Sequence, residues 1–142
     1  EGVAASILRA CPPDAAARLV FAGEVDEARL VELYAESRVC VVPSMIYESF
    51  SYTAAQAMSC ARPVAASRIG GIPEVVADGV TGRLVPPGDA GALAAAVVRL
   101  LGDPAGARAM GQAGRERVLA RFTPAIAART NLSMLGLEGA AP

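Results

Sequence analysis

The sequence predicts an α/β fold built on a parallel sheet, and three observations lead to this prediction. Short apolar runs alternate with stretches of helical periodicity, which is the pattern of β-α-β units. Hydrophobic residues make up 54% of the 142 residues and charged residues only 19%, so the chain can bury a core and is not disordered. The last third of the chain has helical periodicity throughout, so a helical segment follows the sheet.

The elements can be predicted in order. A helix over residues 3–10 ends at Pro12 and Pro13, and Asp26 is placed to cap a later helix. Gly70 and Gly71 form a turn, after which a proline opens a short helix. Four segments have the length and apolar character of buried strands: residues 18–22, 39–43, 63–67 and 83–86.

Three helices are predicted after residue 90. The second covers residues 105–122, and the third starts at Thr123 and runs to about Leu135. This gives a sheet-containing core at about 18–88, a helical cap at about 89–137 and a frayed tail from Glu138. Because the chain begins in mid-helix and four strands leave sheet edges to protect, we expect part of a larger domain that lacks its first strands.

Composition excludes several classes of function. The net charge of −1 gives no electrostatic footprint for nucleic acid. All 13 basic residues are arginine, so neither a histidine acid/base nor a lysine Schiff base is present. Cys11, Cys40 and Cys60 stand far apart, which suits reduced thiols and gives no metal-ligand spacing. No apolar run reaches membrane length and no signal-peptide pattern is present, so we expect a soluble, cytoplasmic protein.

The segment after the strand at 39–43 is the first candidate site, because ligands of open α/β sheets bind beyond the carboxyl ends of strands. From Glu48 it reads E-S-F-S-Y-T-A-A-Q-A-M. Unpaired backbone N–H groups at residues 51–53 favour an anion such as phosphate, and Glu48 can accept hydrogen bonds from ligand hydroxyls. The same residues also fit a second interpretation, in which the segment begins an ordinary buried helix. Ser51 or Thr53 would then cap that helix, and Glu48 would complement its dipole.

Two further strand ends are weaker candidates. The stretch S-R-I-G-G-I-P-E, after the strand at 63–67, has a double glycine that permits a tight turn or a close approach to a ligand. Residues 23–26 follow the first predicted strand. Tyr47 and Phe50 can either flank a ligand or pack against the core.

The run P-S-M-I-Y-E-S-F-S-Y-T-A-A-Q-A-M-S-C-A-R-P-V-A-A-S-R-I-G-G-I-P-E-V-V, then D-G-V-T-G-R-L-V-P-P-G-D, resembles the nucleotide-sugar half of a retaining glycosyltransferase. The family is glycosyltransferase family 4, also called group 1, whose members have two Rossmann-like domains in the GT-B fold. It includes bacterial mannosyl- and glucosyltransferases. The resemblance covers about Val20 to Phe122. It implies a Rossmann-like parallel sheet with flanking helices and a UDP-, GDP- or ADP-hexose donor. It also implies a separate acceptor-binding domain. The sequence has no Asp-x-Asp motif, which agrees with a family whose members generally work without a bound metal, so the resemblance implies neither a metal nor another cofactor.

The resemblance assigns roles residue by residue. Glu48 matches the acid that contacts hydroxyls of the donor sugar and is the candidate catalytic residue. The backbone at 51–53 matches the diphosphate site, and Gln56 stands where the family has a glutamate that holds the ribose. Residues 25–26 resemble a loop near the base, and residues 70–71 a loop at the cleft. The implied binding residues are Val25, Asp26, Ser49, Phe50, Ser51, Tyr52, Thr53, Gln56, Gly70 and Gly71.

The sequence departs from the family pattern at several places. Gln56 is neutral where the family has a carboxylate, and neutral hydrogen bonds are weaker than charge-assisted ones. Ser51 stands where glycine is usual and would be strained if that position needs a positive φ. Cys60 and Ala61 replace the usual Ala-Gly of the next turn, a change without expected functional consequence. The family's Arg and Lys pair, which neutralises the leaving diphosphate, is missing, since the chain has no lysine.

Our leading hypothesis is that the chain is the donor-binding part of a retaining hexosyltransferase. We expect this chain alone to be inactive, and we expect any membrane contact to be made by the missing domain. The alternative is a nucleotide-sugar-binding or structural module without turnover, which Gln56, Ser51 and the missing basic pair motivate. A nucleotide-sugar epimerase of the same fold is disfavoured, because such enzymes usually need histidine or extra acids in the cleft.

Overall fold

The computed structural model describes residues 2–134, which form two compact units that divide between Leu30 and Val31. The helices of the first unit, together with one that crosses the boundary, are α1 (Val3–Ala10), α2 (Pro13–Ala16) and α3 (Glu27–Glu36). The predicted bounds of α1 are confirmed. Asp26 caps α3 as predicted, because its carboxylate accepts the N–H of Arg29 at 2.8 Å.

Residues 18–22 do not form the strand that the sequence predicts. Their apolar side chains are exposed, Val20 by 91% and Phe21 by 46%. A strand is stable only when its backbone N–H and C=O groups pair with a neighbour, and no strand in residues 2–134 pairs with this segment. The prediction of a fourth strand is therefore wrong for the described structure.

The second unit is built on a three-stranded parallel sheet. Its strands are β1 (Cys40–Val42), β2 (Val64–Ser67) and β3 (Gly82–Val85), in the spatial order β1-β2-β3. They are the last three of the four predicted strands. Val42 is opposite Ala66 and Ser67 is opposite Val85, so all three carboxyl ends reach one edge of the sheet.

Five helices accompany the sheet in the described residues: α4 (Tyr52–Ser59), α5 (Ile72–Val75), α6 (Ala90–Gly102), α7 (Pro104–Arg121) and α8 (Pro124–Met134). Pro73 lies in the first turn of α5, as predicted. Asp89 and Asp103 cap α6 and α7 by accepting N–H groups at 2.8 and 2.9 Å. The predicted end of the last helix at Leu135 and the tail from Glu138 lie outside the described residues.

Both faces of the sheet are covered, as a parallel sheet requires. Along β2 the side chains alternate between two apolar clusters. Val64 and Ala66 belong to the cluster that contains Met58 of α4 and Val118 of α7. Ala65 belongs to the cluster on the other face, which α6 and the start of α7 complete. The sheet is thus fixed between α4 and α6.

Within residues 2–134, no single helix is both long and apolar enough to cross a membrane. The pair α6 and α7 meets that criterion only when taken together, and the two helices are bent by 104° at their junction.

Asp78 joins the segment before β3 to the end of β2. Its carboxylate accepts the N–H of Leu84 at 3.0 Å and pairs with the guanidinium of Arg68. The hydrogen bond from Leu84 is the largest influence and holds the pKa of Asp78 below its ordinary value. Burial, the next largest, raises this pKa, and the hydrogen bond and charge of Arg68 and the charge of Arg83 lower it. The stabilisation is therefore present above the unfolded-state pKa of about 4 and is lost as the pH falls through the folded-state pKa.

We expect Asp78→Asn to lower the urea midpoint of unfolding at pH 7 and to approach the wild-type midpoint as the pH falls below about 4. The measurement is urea unfolding followed by circular dichroism at a series of pH values. A difference between the two midpoints that does not change with pH would contradict this role of the carboxylate.

Candidate functional site

The carboxyl ends of β1 and β2 lead into two loops that contact each other. The chain after β1 runs through Glu48 to α4, and the chain after β2 turns at Gly70 and Gly71 into α5. The N–H of Gly71 donates to the carbonyl of Glu48 at 2.7 Å. Two stretches that the sequence singled out separately therefore meet at one edge of the sheet.

Only glycine fits at these two positions. Gly70 has a φ of +55°, and a Cβ atom there would lie 2.8 Å from the backbone nitrogen of Glu48. A Cβ atom at Gly71 would overlap the carbonyl oxygen of Ser49 and lie 2.6 Å from its carbonyl carbon. The double glycine makes both a tight turn and a close backbone approach, and the backbone that it approaches is the Glu48 loop.

The start of α4 presents unpaired N–H groups. The first hydrogen bond of this helix runs from the N–H of Ala55 to the carbonyl of Ser51 at 3.1 Å. The N–H groups of Tyr52, Thr53 and Ala54 therefore have no acceptor within the helix. Together with the positive end of the helix dipole, they form the arrangement that binds phosphate and other anions.

Ser51 is fully buried at this helix start, and its hydroxyl has no hydrogen-bond partner among the described residues. It occupies the N-cap position, but its side chain makes no capping hydrogen bond, so the hydroxyl cap of the alternative interpretation is not formed. Its φ of −91° is ordinary for serine, so the strain that a positive φ would cause does not arise. Leaving a buried hydroxyl unpaired costs about 1–3 kcal/mol, which a ligand acceptor at this place would recover.

Glu48 is half-buried, and its carboxylate has no hydrogen bond or ion pair with residues 2–134. The residue is held through its backbone, by Gly71, and not through its side chain. The neighbouring Ser49 is exposed. The backbone of Glu48 is thus positioned, and its carboxylate remains free to accept hydrogen bonds from hydroxyls of a ligand.

Phe50 fixes the same loop to the helices. Its ring contacts Tyr52 and Phe122 edge-to-face, with centroid distances of 5.1 and 5.5 Å. Its half-buried side chain therefore packs against the core, which was one of the two roles that the sequence left open for it. Tyr47, by contrast, is 84% exposed.

Gln56 lies one turn into α4 and is exposed. Its Oε1 accepts a hydrogen bond from the hydroxyl of Tyr34 at 3.4 Å. Burial, with smaller contributions from Cys40 and Cys60, raises the pKa of Tyr34, so this hydroxyl remains a donor at neutral pH. The amide of Gln56 is oriented by α3 and keeps its other hydrogen-bonding capacity.

Val25 and Asp26 belong to the first unit, where Val25 is half-buried and Asp26 caps α3. In the part of the chain that the structure describes, no group of three or more acidic, cysteine or histidine side chains is arranged to hold a metal ion.

Arg117 supports the site, and the sequence analysis did not single it out. Its Nε and Nη2 donate to the carbonyls of Val75 and Glu74 at 2.8 and 2.7 Å, at the end of α5. Because α5 follows Gly71 directly, Arg117 anchors to α7 the short helix that the glycine turn leads into. No local pattern could have revealed this role, since Arg117 and Val75 are 42 residues apart in sequence.

The sheet, the glycine turn and the open helix start define an α/β domain with a candidate ligand site beyond its strand ends, the place where open α/β sheets bind ligands. The family model described as "Glycosyl transferases group 1" matches residues 3–103. The chain belongs to that family.

Similar proteins agree with this assignment. Alpha-maltose-1-phosphate synthase of Mycobacterium tuberculosis (strain CDC 1551 / Oshkosh) is 43% identical over 112 residues, which are 75% of this chain and 29% of that protein. Sucrose-phosphate synthase from Thermosynechococcus elongatus superposes with a TM-score of 0.83 at 42% identity, over 96% of this chain and 34% of that one. Anabaena HepE, solved in complex with UDP-glucose, superposes with a TM-score of 0.69 at 26% identity, over 74% of this chain and 29% of that one.

The predicted glycosyltransferase family and the predicted Rossmann-like α/β fold of GT-B type are confirmed. The chain spans about 29% of the length of the curated relative described above.

Proposed function

We propose that this chain is the donor-binding part of a retaining glycosyltransferase. The whole protein moves a hexose from a nucleoside diphosphate sugar to a hydroxyl acceptor and preserves the anomeric configuration. One observation carries the proposal: the free N–H groups of Tyr52, Thr53 and Ala54 lie at the same strand end as the unpaired carboxylate of Glu48. The amides suit a diphosphate and the carboxylate suits sugar hydroxyls.

Each residue then has a role in the reaction. The diphosphate binds at the start of α4, where the buried hydroxyl of Ser51 donates to a phosphate oxygen. The fixed amides stabilise the negative charge that develops as the diphosphate leaves a sugar of oxocarbenium character. Glu48 orients the sugar through its hydroxyls, and the Oε1 of Gln56 accepts from a ribose hydroxyl.

The rest of the protein completes the cleft. A separate domain binds the acceptor, and any further positive charge opposite the leaving diphosphate comes from arginine here or from outside this chain, which has no lysine. A role for Val25 and Asp26 near the base stays a prediction from the sequence resemblance. The proposed reaction uses neither a metal nor another cofactor, and we propose no nucleic-acid partner. We propose that the protein is cytoplasmic and that any contact with a membrane is made through the other domain.

The configuration of the product tests retention. The intact protein is incubated with an α-linked nucleotide sugar and a hydroxyl acceptor, and the one-bond ¹³C–¹H coupling at the anomeric carbon of the product is measured by NMR. We expect an α-linked product. A β-linked product would show inversion and would overturn the proposed mechanism while leaving donor binding intact.

A non-catalytic module of the same fold is the second candidate, and the neutral Gln56 favours it. We expect Gln56→Glu to tighten nucleotide-sugar binding about fivefold to tenfold and to raise the transfer rate, because a carboxylate makes a stronger hydrogen bond to a ribose hydroxyl than an amide does. The measurements are calorimetric titration and product formation.

Gln112→Glu adds the same charge on the exposed side of α7 and is the matched control, with no expected change. Nucleotide binding without any transfer, in both the wild type and Gln56→Glu, would favour the non-catalytic module.

A further inference from the structure

We propose that a second cavity, at the opposite edge of the sheet, binds a phosphate group. The cavity has a volume of about 170 Å³, and Arg38, Arg62 and Arg108 contribute to its lining. Arg38 and Arg62 each lie two residues before a strand, so the cavity is at the amino ends of β1 and β2. Glu48 and Gly71 follow the carboxyl ends. Because the strands are parallel, this cavity is distinct from the proposed donor site.

The wall behind the arginines includes buried apolar residues. Leu100 at the end of α6 and Ala107 in α7 line the cavity and are only 5% and 8% exposed. Pro63, at the entry to β2, is also buried. The volume is far above the roughly 10–15 Å³ that one water molecule needs, so a phosphate group has room beside the guanidinium groups.

The three positive charges have no acidic partner. No acidic side chain lines the cavity, and none of the three arginines forms an ion pair with a residue of 2–134. Asp103, just before the lining residue Pro104, uses its carboxylate to cap α7. Three like charges around one cavity repel each other in a chain whose net charge is −1, and an anion would relieve that repulsion.

Two of the arginines are held in place by carbonyl groups. Arg38 donates to Leu101 at 3.1 Å, and Arg62 donates to Cys60 and Ser37 at 3.0 and 3.2 Å. Each of the two guanidinium groups has more N–H donors than these bonds use. The carbonyls therefore orient the cations and leave donors for a phosphate, which guanidinium groups recognise by paired hydrogen bonds.

Arg108 separates this proposal from a purely structural role for the cluster. It is exposed, and its side chain has no hydrogen bond with the described residues. It lies in the second turn of α7, whose dipole places partial positive charge on the same side. A bound phosphate gives Arg108 a partner that the folded chain itself does not provide.

Titration of the ¹⁵N-labelled full chain with pyrophosphate, at constant ionic strength, tests the proposal by NMR. We expect saturable shifts of the arginine Nε–H signals and of the amides at 61–62 and 105–108, resolved from any shifts at 52–54. Arg108→Gln is expected to weaken binding at this cavity about tenfold and to leave the response at 52–54 unchanged.

Arg99→Gln is the matched control. Arg99 is also exposed and lies near the end of α6 but outside the cavity lining, so its removal should change the affinity by less than about twofold. Equal weakening by Arg99→Gln and Arg108→Gln would show general charge attraction and would overturn the proposal.

Vesicles distinguish a free phosphate from a lipid headgroup. Phosphatidylcholine vesicles, with and without phosphatidylglycerol, are mixed with the wild type and with Arg108→Gln. Binding that needs both phosphatidylglycerol and Arg108, without a response to pyrophosphate, would assign the phosphate to a lipid. Arginine signals that respond to neither probe, including the case in which pyrophosphate shifts only the amides at 52–54, would overturn the proposal.

Discussion

Replacement of Gly71 by alanine is expected to abolish donor binding and to destabilise the second unit. The added Cβ atom would overlap the carbonyl oxygen of Ser49 and lie 3.2 Å from the backbone nitrogen of Phe50. Alanine tolerates the φ of −79° at Gly71, so the effect is steric alone. The atoms in conflict are backbone and cannot rotate away. We expect a loss of about 1–3 kcal/mol in the free energy of unfolding and a displaced Glu48 loop.

Urea unfolding and calorimetric titration with a nucleotide sugar measure the two effects. Gly102→Ala is the matched control, because a Cβ atom at Gly102 has no neighbour within 4 Å. That change should leave donor binding unaltered and can stabilise α6 by up to about 1 kcal/mol. A Gly71→Ala protein with wild-type stability and affinity would contradict the contact between the two loops.

Replacement of Glu48 by glutamine is expected to reduce kcat/KM for sugar transfer by about 10- to 100-fold, with little change in the affinity for UDP, GDP or ADP alone. Glutamine keeps the shape of the side chain but loses the charge that strengthens hydrogen bonds to sugar hydroxyls, each worth about 1.5–3 kcal/mol. The nucleotide affinity should persist, because it depends on the amides of Tyr52, Thr53 and Ala54. Steady-state kinetics and titration with each nucleoside diphosphate check both parts.

Glu116→Gln removes an exposed carboxylate from α7 and is the matched control for Glu48→Gln. It should change neither quantity. If Glu48→Gln weakened binding of the nucleoside diphosphates as much as it reduced transfer, Glu48 would act on the nucleotide and not on the sugar.

The fold was predictable where a few adjacent residues decide the local structure by themselves. The cap at Asp26, the proline in the first turn of α5 and the apolar run of β2 each depend on a few adjacent residues. Residues 18–22 have the same kind of short apolar run as β2, but they do not form a strand. Formation of a strand depends on a neighbouring strand, which a local pattern does not provide.

The topology explains why residues 40–42 form a strand in the sheet and residues 18–22 do not. In the doubly wound strand order 3-2-1-4-5-6, the third strand pairs with the second, and the first separates both from the fourth. The adjacent strands β1, β2 and β3 match the 4-5-6 part of that order. A strand at residues 18–22 would then pair with a segment other than β1, although it immediately precedes β1 among the predicted strands.

The candidate site was predictable in its residues but not in its contacts. The motif around Glu48 indicated an acid before an open helix start. It did not indicate that the hydroxyl of Ser51 is buried without a partner, or that Gly71 donates to the carbonyl of Glu48. These facts, like the support from Arg117, depend on residues brought together by the sheet. They favour a ligand at this helix start over a helix closed by its own serine.

Binding of a nucleotide sugar at the start of α4 can be tested by titrating the intact protein with UDP-, GDP- and ADP-glucose and the corresponding mannose donors, while the amide signals of Tyr52, Thr53 and Ala54 are followed by NMR. We expect at least one of these nucleotide sugars to bind saturably and to shift those three signals together. Saturable binding of none of them, or binding that leaves the three amides unmoved, would contradict this expectation.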